Sequence, residues 1–222
     1  MQIETATNEA HQAANVSPMG RLLPLTPNLS LPGFFMGFAR NEEIFGEEEP
    51  ADFVYKVASG AVRTTRFLCD GRRQIEAFHL PGDVFGLERG EVHRFSAEAL
   101  TNCQIMVIRR SALDRAVERD CAAARELWVL TSQDLERIQE HMLVLSRKNA
   151  AERVASFLLK LADRRGSDAV ELPMSRGDIA DHLGLTIETV SRTMTQFERD
   201  QVIALPNTRQ AILKNRAALL AA

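Results

Sequence analysis

Apolar positions along this chain follow three patterns in turn. From Leu22 to about residue 110 they come in short runs, FFMGF, FVYKVASGAVRTTRF, RRQIEAFHL and CQIMVI. Gly46, Gly60, Asp70-Gly71, Pro81-Gly82 and Gly90 break them. Strand-like runs at short spacing with glycine turns predict a small antiparallel β-barrel or roll. Pro24, Pro27 and Pro32 argue against helix at its start. At Ser111 the period lengthens: Ser111 and Asp114 have capping-box spacing, and the following stretch reads as helix to Ser146 with a break near Asp120. Within it Ala124, Trp128, Thr131, Leu135, Ile138, Met142 and Leu145 recur at alternating four and three residues, a heptad seam over about three repeats. Such a seam serves either a second copy of the chain or the helix's own roll. Arg137 and Glu140, of opposite sign beside the stripe, favour the second copy.

The third pattern follows a hinge at Arg147-Lys148-Asn149. An amphipathic helix with Val154, Phe157, Leu158 and Leu161 inward ends at Arg164-Arg165-Gly166, a basic last turn and a glycine stop. Then comes SRGDIADHLGLTIETVSRTMTQF, residues 175–197, which reads as two short helices and a turn. Ser175 and Asp178 form a capping-box spacing, Ile179, Ala180 and Leu183 mark one buried face, Gly184 supplies the left-handed turn residue, and Thr186 caps the second helix. That helix buries Val190, Met194 and Phe197 and leaves Glu188, Ser191 and Arg192 outward. The spacing suits either an ordinary helical hairpin or a helix-turn-helix. QVIAL, a turn at Pro206-Asn207 and QAIL read as two strands behind it, which makes a winged helix-turn-helix; the tail NRAALLAA either covers its edge or frays.

The net charge of −3 argues against a nucleic-acid partner, but it divides into −6 over residues 1–146 and +3 over residues 147–222, the half that holds the helix-turn-helix. That asymmetry hints at phosphate contact. Cys69, Cys103 and Cys121 are widely spaced and fit no disulfide framework, which suits a reducing cytoplasm; no stretch is long and apolar enough to span a membrane, and the N-terminus has no signal-peptide pattern. His11, His79, His93, His141 and His182 read as isolated, without metal-ligand spacing, and there is no phosphate-binding glycine loop or nucleophile set. An enzyme is not expected, nor a metal or cofactor.

LPGDVFG in the roll, KNAAERVASFLL after the hinge and SRGDIADHLGLTIETVSR together resemble the CRP/FNR family of bacterial transcription regulators, over about Leu22 to Leu219. Glu188-x-x-Ser191-Arg192 matches the reading pattern of the FNR side, and LPMSRGDIADHLGLTIETVSR is most similar to the FixK branch. The resemblance implies an α+β fold: a flexible arm over residues 1–21, a double-stranded β-helix (β-roll) over 22–110, a dimerisation helix over 111–146 and a winged helix-turn-helix over 147–222. It implies a cytoplasmic homodimer joined through Trp128, Thr131, Leu135, Ile138, Met142 and Leu145, an activator that binds double-stranded DNA and recruits RNA polymerase. An outward arginine can make two hydrogen bonds to a guanine and a glutamate can accept from cytosine, so Ile187, Glu188, Ser191 and Arg192 are the expected base readers; the resemblance to the FNR side implies a palindromic TTGA-N6-TCAA-like operator. Ser175, Arg176, Thr186, Thr189 and Thr193 are the expected phosphate contacts. Glu188 and Arg192, one helical turn apart, are also spaced to pair with each other.

Two departures from the family bear on control. No cysteine precedes Cys69, so the N-terminal iron–sulfur cluster of FNR sensors cannot form. The cyclic-nucleotide signatures are each spaced out by one residue, as Gly86-Leu87-Glu88 and Arg94-Phe95-Ser96-Ala97, which leaves Glu88 and Arg94 as a degenerate effector pocket at most. Binding without effector is therefore expected, and a small-molecule-responsive roll is the alternative. Ser175 stands where FixK-type proteins can carry Cys, so peroxide control at that site is not expected here.

Overall fold

Strands rich in β-branched and aromatic residues bury both faces only when each face has something to meet. CQIMVI does, because the β-roll has sheets and helices on either side of it. The computed structural model describes residues 21–221. Nine strands come first: β1 Arg21–Pro24, β2 Ser30–Phe38, β3 Glu43–Phe45, β4 Phe53–Ser59, β5 Val62–Phe67, β6 Arg73–His79, β7 Val84–Phe85, β8 Ser96–Ala99 and β9 Cys103–Arg109. They form a five-stranded antiparallel sheet in the order β1-β2-β9-β4-β7 and a four-stranded one in the order β3-β8-β5-β6. Along β9, Ile105 and Val107 point into the aromatic core around Phe38, Phe45, Tyr55 and Phe85, while Met106 and Ile108 join Leu23, Leu25, Leu31, Val54 and Leu113 on the other face. This two-sided burial is why the run reads as continuous rather than alternating. The expected arm over residues 1–21 lies outside the described residues except for Arg21, which begins β1.

Helix α1, Arg110–Arg119, follows β9 without a turn. The expected Ser111 capping box is absent: Arg109 occupies the cap position with no side-chain bond, and Arg110 N instead donates to the Asp52 carbonyl at 2.8 Å. A strand running directly into a helix leaves the first donors beside its neighbouring strand, so backbone replaces the side-chain cap. The break near Asp120 is present, and Asp120 caps α2, Cys121–Arg147, by accepting from Ala122 N. Of this long helix only Ala123 is buried. The face that meets the roll carries Leu127 and Leu130, packed on the roll core, and Arg137, paired with Asp83. One position along lies the heptad stripe, with Trp128 73 %, Leu135 55 %, Ile138 50 % and Met142 60 % exposed. Trp128, Leu135 and Met142 face away from the roll, whereas Thr131 and Ile138, though exposed, also line a cavity between α2 and the roll. Leu145, at the end of the stripe, is half-buried.

Lys148 is extended and Asn149 caps α3, Ala150–Arg165, in a capping box with Glu152; Gly166, at φ +62°, ends it. After β10, Ala169–Glu171, come α4, Arg176–Leu183, and α5, Ile187–Arg199. Strands β11, Ile203–Asn207, and β12, Gln210–Leu213, complete a sheet in the order β10-β12-β11. The expected turn at Pro206-Asn207 is displaced: both residues belong to β11, whose register shifts between Ala204 and Asn207, and the chain reverses at Thr208-Arg209 with Asn207 Oδ1 accepting from Arg209 N at 2.8 Å. A bulge accommodates a proline that has no amide to give the ladder. Helix α6, Arg216–Leu220, covers α3 through buried Leu219. The core of this region is continuous with the outer face of the roll, since Ile75, Phe78 and Leu80 pack into the same cluster as Phe157, Leu158 and Ile179.

Candidate nucleic-acid interface

The geometry of α4 and α5 follows from their caps. Ser175 Oγ accepts from Asp178 N at 3.1 Å, and Asp178 Oδ2 accepts from Ser175 N at 2.8 Å and from Ser175 Oγ at 2.7 Å. Gly184, at φ +62°, turns the chain, and Thr186 Oγ1 accepts from Thr189 N at 3.2 Å to start α5. A left-handed residue at this corner costs a non-glycine about 1–2 kcal/mol, which explains the glycine. Ile179, Ala180 and Leu183 of α4 and Val190, Met194 and Phe197 of α5 are all buried, as the spacing predicts. Burying those faces sends Ile187, Glu188, Ser191 and Arg192 outward together, all exposed, with Thr189 and Thr193 half-buried at the flanks.

Glu188 and Arg192 do not pair with each other. Among the described residues Arg192 has no carboxylate partner, and Glu188 lies in the first turn of α5, where its own backbone amide and the Thr186 hydroxyl hold its carboxyl below the usual range. Both charged ends face outward with unused hydrogen-bonding capacity. Ser175 is exposed, but its proton is directed at Asp178. Arg176 beside it is half-buried, burial lowers its pKa, and its Nη1 is buried without a partner. A cation left unpaired at a helix N-terminus, next to an outward helix face, is placed for an anion.

What holds this unit in place leaves no signal in the local sequence. Asp178 is 4 % exposed, and its Oδ1 accepts from Arg63 Nη1 and Arg73 Nη2 of the roll, both at 2.7 Å. Arg73 also reaches Asp181, and Arg63 pairs with Glu98. Burial raises the Asp178 pKa, but the Ser175 bonds and the two guanidiniums outweigh it and hold the carboxyl below its ordinary value. Asp83, in the roll motif LPGDVFG, pairs with Arg137 of α2 and Arg164 of α3. The histidines are not all isolated either: His141 of α2 and His182 of α4 stack at 4.1 Å with an interplanar angle of 11°, and His182 Nδ1 lies 3.1 Å from the Ile75 carbonyl. Such contacts join residues from 35 to 115 positions apart and leave no local spacing to detect.

Glu88 and Arg94 line one cavity of about 1180 Å³ with Thr64, Glu76, Phe95 and Thr131. They make no contact with each other. Glu88 turns to His93 Nδ1, 3.5 Å away, and to Arg110, whereas Arg94 is exposed. Burial drives the Glu76 carboxyl up to about 7.

Residues 152–222 match the model of the Crp-like helix-turn-helix domain, and residues 36–120 that of the cyclic nucleotide-binding domain. The nitrogen fixation regulation protein FixK of Azorhizobium caulinodans is 53 % identical over 188 residues, spanning 82 % of this chain and 76 % of its own length. This chain belongs to the CRP/FNR family. FixK of Rhizobium meliloti is 43 % identical over 82 % of this chain and 83 % of its own. Among solved structures, FixK2 from Bradyrhizobium japonicum superposes with a TM-score of 0.81 at 48 % identity, over 84 % of this chain and 95 % of that one. The CRP/FNR member described here is thus a DNA-binding transcription regulator with the family's β-roll, long helix and C-terminal helix-turn-helix. No described helix is long and apolar enough to cross a membrane.

Proposed function

We propose that this regulator acts in the cytoplasm as a homodimer, reading a two-fold symmetric operator with TTGA and TCAA half-sites about ten base pairs apart centre to centre, and that it activates transcription by contacting RNA polymerase. The outward face of α5 carries the reading: Arg192 and Glu188 are exposed and one turn apart, close enough for the Arg192 charge to help lower the Glu188 carboxyl but not in a direct ion pair. Arg192 donates to guanine O6 and N7, Glu188 accepts from cytosine N4, Ile187 meets a thymine methyl, and Ser191 completes the set. Arg176, Thr186, Thr189, Thr193 and the start of α4 at Ser175 contact phosphates. The exposed α2 stripe is the dimer surface, since an apolar strip of that length in water favours a matching copy.

The protein binds without cyclic nucleotide or iron–sulfur cluster and performs no catalysis. Selecting operators from a random DNA pool with protein purified in air tests the reading; enrichment of inverted TTGA half-sites supports it, and enrichment of nothing contradicts it. The cavity beside Glu76, Glu88 and Arg94 favours a second reading, a small-molecule-responsive roll. A thermal shift on adding cyclic nucleotides would favour that reading over the first.

A further inference from the structure

Arg153 occupies the first turn of α3, where a cation faces the positive end of its own helix dipole and is locally disfavoured. It has no carboxylate partner among the described residues. Its guanidinium instead serves backbone carbonyls from two other places in the fold. Nη2 donates to the Leu145 carbonyl at 2.7 Å and Nε to the Lys148 carbonyl at 2.9 Å, both at the end of α2. Nη1 donates to the Leu183 carbonyl at 3.0 Å and reaches the Gly184 carbonyl at 3.5 Å, at the end of α4. These carbonyls belong to helix C-termini that have run out of helical donors, and both ends carry partial negative charge. One planar fork with five donors satisfies both; a lysine ammonium is a point charge and cannot span them.

The same corner is closely packed. A Cβ added to Gly184 would lie 3.6 Å from Arg153 Nη1 and 3.9 Å from Leu145 Cδ2. The last residue of the α2 stripe therefore sits against the turn that aims α5, with Arg153 bonded to both. Between α2 and α3 only Lys148 and Asn149 are non-helical.

We propose that Arg153 is a positioning residue that fixes the recognition helix relative to the dimer helix and thereby sets which half-site spacing the regulator accepts. The spacing half of this statement rests on the dimeric operator reading above. The orientation half does not. In a dimer joined along α2, the separation of the two α5 helices depends on the angle between α2 and the helix-turn-helix; the His141–His182 stack and the Glu140–Lys160 pair also cross from α2, but Arg153 is bonded to the carbonyls at the end of α2 and to those at the turn that starts α5.

The test uses the full-length chain as wild type, Arg153→Gln and Arg153→Lys, the latter keeping the charge without the fork. Spin labels at exposed Gln139 of α2 and Thr195 of α5, with exposed Cys69 and Cys121 replaced by serine, report the intrachain distance without DNA. Binding is then measured on operators whose spacer is lengthened or shortened by one base pair. We expect a narrow distance distribution and a preference of about tenfold or more for one spacing in wild type, because each base pair added rotates one half-site off the shared face of the duplex. Both variants should broaden the distribution and reduce that preference to a few-fold, with base preferences inside the half-site unchanged. Variants that lower thermal stability while leaving distribution and spacing preference as in wild type overturn the proposal and make Arg153 merely stabilising. Full restoration by Arg153→Lys overturns the fork assignment. If wild type itself shows no spacing preference, the dimeric operator reading fails, and the label distances alone decide: broadening upholds the Arg153 link and no change overturns it.

Discussion

Replacing Arg63 by Met removes one of two guanidiniums from a carboxylate that is almost wholly buried, and the surroundings set the cost. Asp178 keeps Arg73 Nη2 at 2.7 Å and both Ser175 donors, so its charge is not stranded. The loss is one charged hydrogen bond in a nearly dry site, about 1.5–3 kcal/mol. Glu98, the other partner of Arg63, has a side chain 25 % exposed and turns to water at little cost. Arg73→Met alone should cost a similar amount. The double variant leaves Asp178 with Ser175 only, and a buried carboxylate without a cation costs about 3–5 kcal/mol until it protonates. The two losses should be non-additive, because both arginines meet one oxygen.

The pH dependence has a definite sign. With both arginines present the folded-state pKa of Asp178 lies below its unfolded value, so its stabilisation is present above about pH 4 and is lost as pH falls through the depressed value. Without them the folded pKa rises, and the acid limb of the stability profile moves to higher pH. Urea unfolding followed by circular dichroism, near neutral pH and in acid, measures both effects. Single variants each within about 0.5 kcal/mol of wild type, as ordinary surface changes are, would show that the two guanidiniums do not hold Asp178 in place, as would an unmoved acid limb.

The proposed α2 seam predicts that Ile138→Glu, which sets two carboxylates against each other in an apolar interface, costs several kcal/mol of association; sedimentation should show a monomer that does not bind operator, and an intact, binding dimer would contradict it. Burial pushes His79 down to about 4 and His182 down to about 3. Both stay neutral in the fold while the unfolded chain protonates near pH 6.5, so stability should decline as pH drops from about 6.5 towards 4, by about 2 kcal/mol per histidine at pH 5. Replacing His182 by Gln should flatten the slope between pH 6.5 and 5, and an unchanged slope would count against its neutral burial. Peroxide should leave operator binding nearly unchanged and weaken that of Ser175→Cys, whose oxidised thiol would place negative charge at the start of α4; equal responses would remove Ser175 from the phosphate-contact set.

The elements of this fold were legible wherever period and cap agreed. Ile179, Leu183, Val190, Met194 and Phe197 are buried where 3.6-residue spacing puts them, and Ser175, Gly184 and Thr186 start and end helices because their side chains, or the lack of one, suit those backbone positions. The stripe on α2 was legible as apolar, but only the structure shows that Leu127 and Leu130, one position off, are the residues turned to the roll. What could not be read is tertiary: Asp178 joins Arg63 and Arg73 from strands more than a hundred residues earlier, and Arg153 bonds backbone carbonyls whose identity leaves no trace in a side-chain pattern. Ser111 misled because its spacing mimics a cap, where a strand entering a helix directly had already supplied the acceptor from Asp52.

In the proposed complex Arg192 reads a base rather than a phosphate. Competitive binding of wild type and Arg192→Ala to operators altered one base at a time, repeated over a salt series, tests it most directly. Loss of a bidentate contact to guanine should cost about 1–3 kcal/mol on the native operator and abolish discrimination at that guanine, with the salt slope unchanged. Arg176→Ala, in contrast, should weaken all operators alike and flatten the salt dependence. If Arg192→Ala weakens every operator equally and the guanine preference survives, Arg192 contacts only phosphate, and the base-reading face of α5 is wrong.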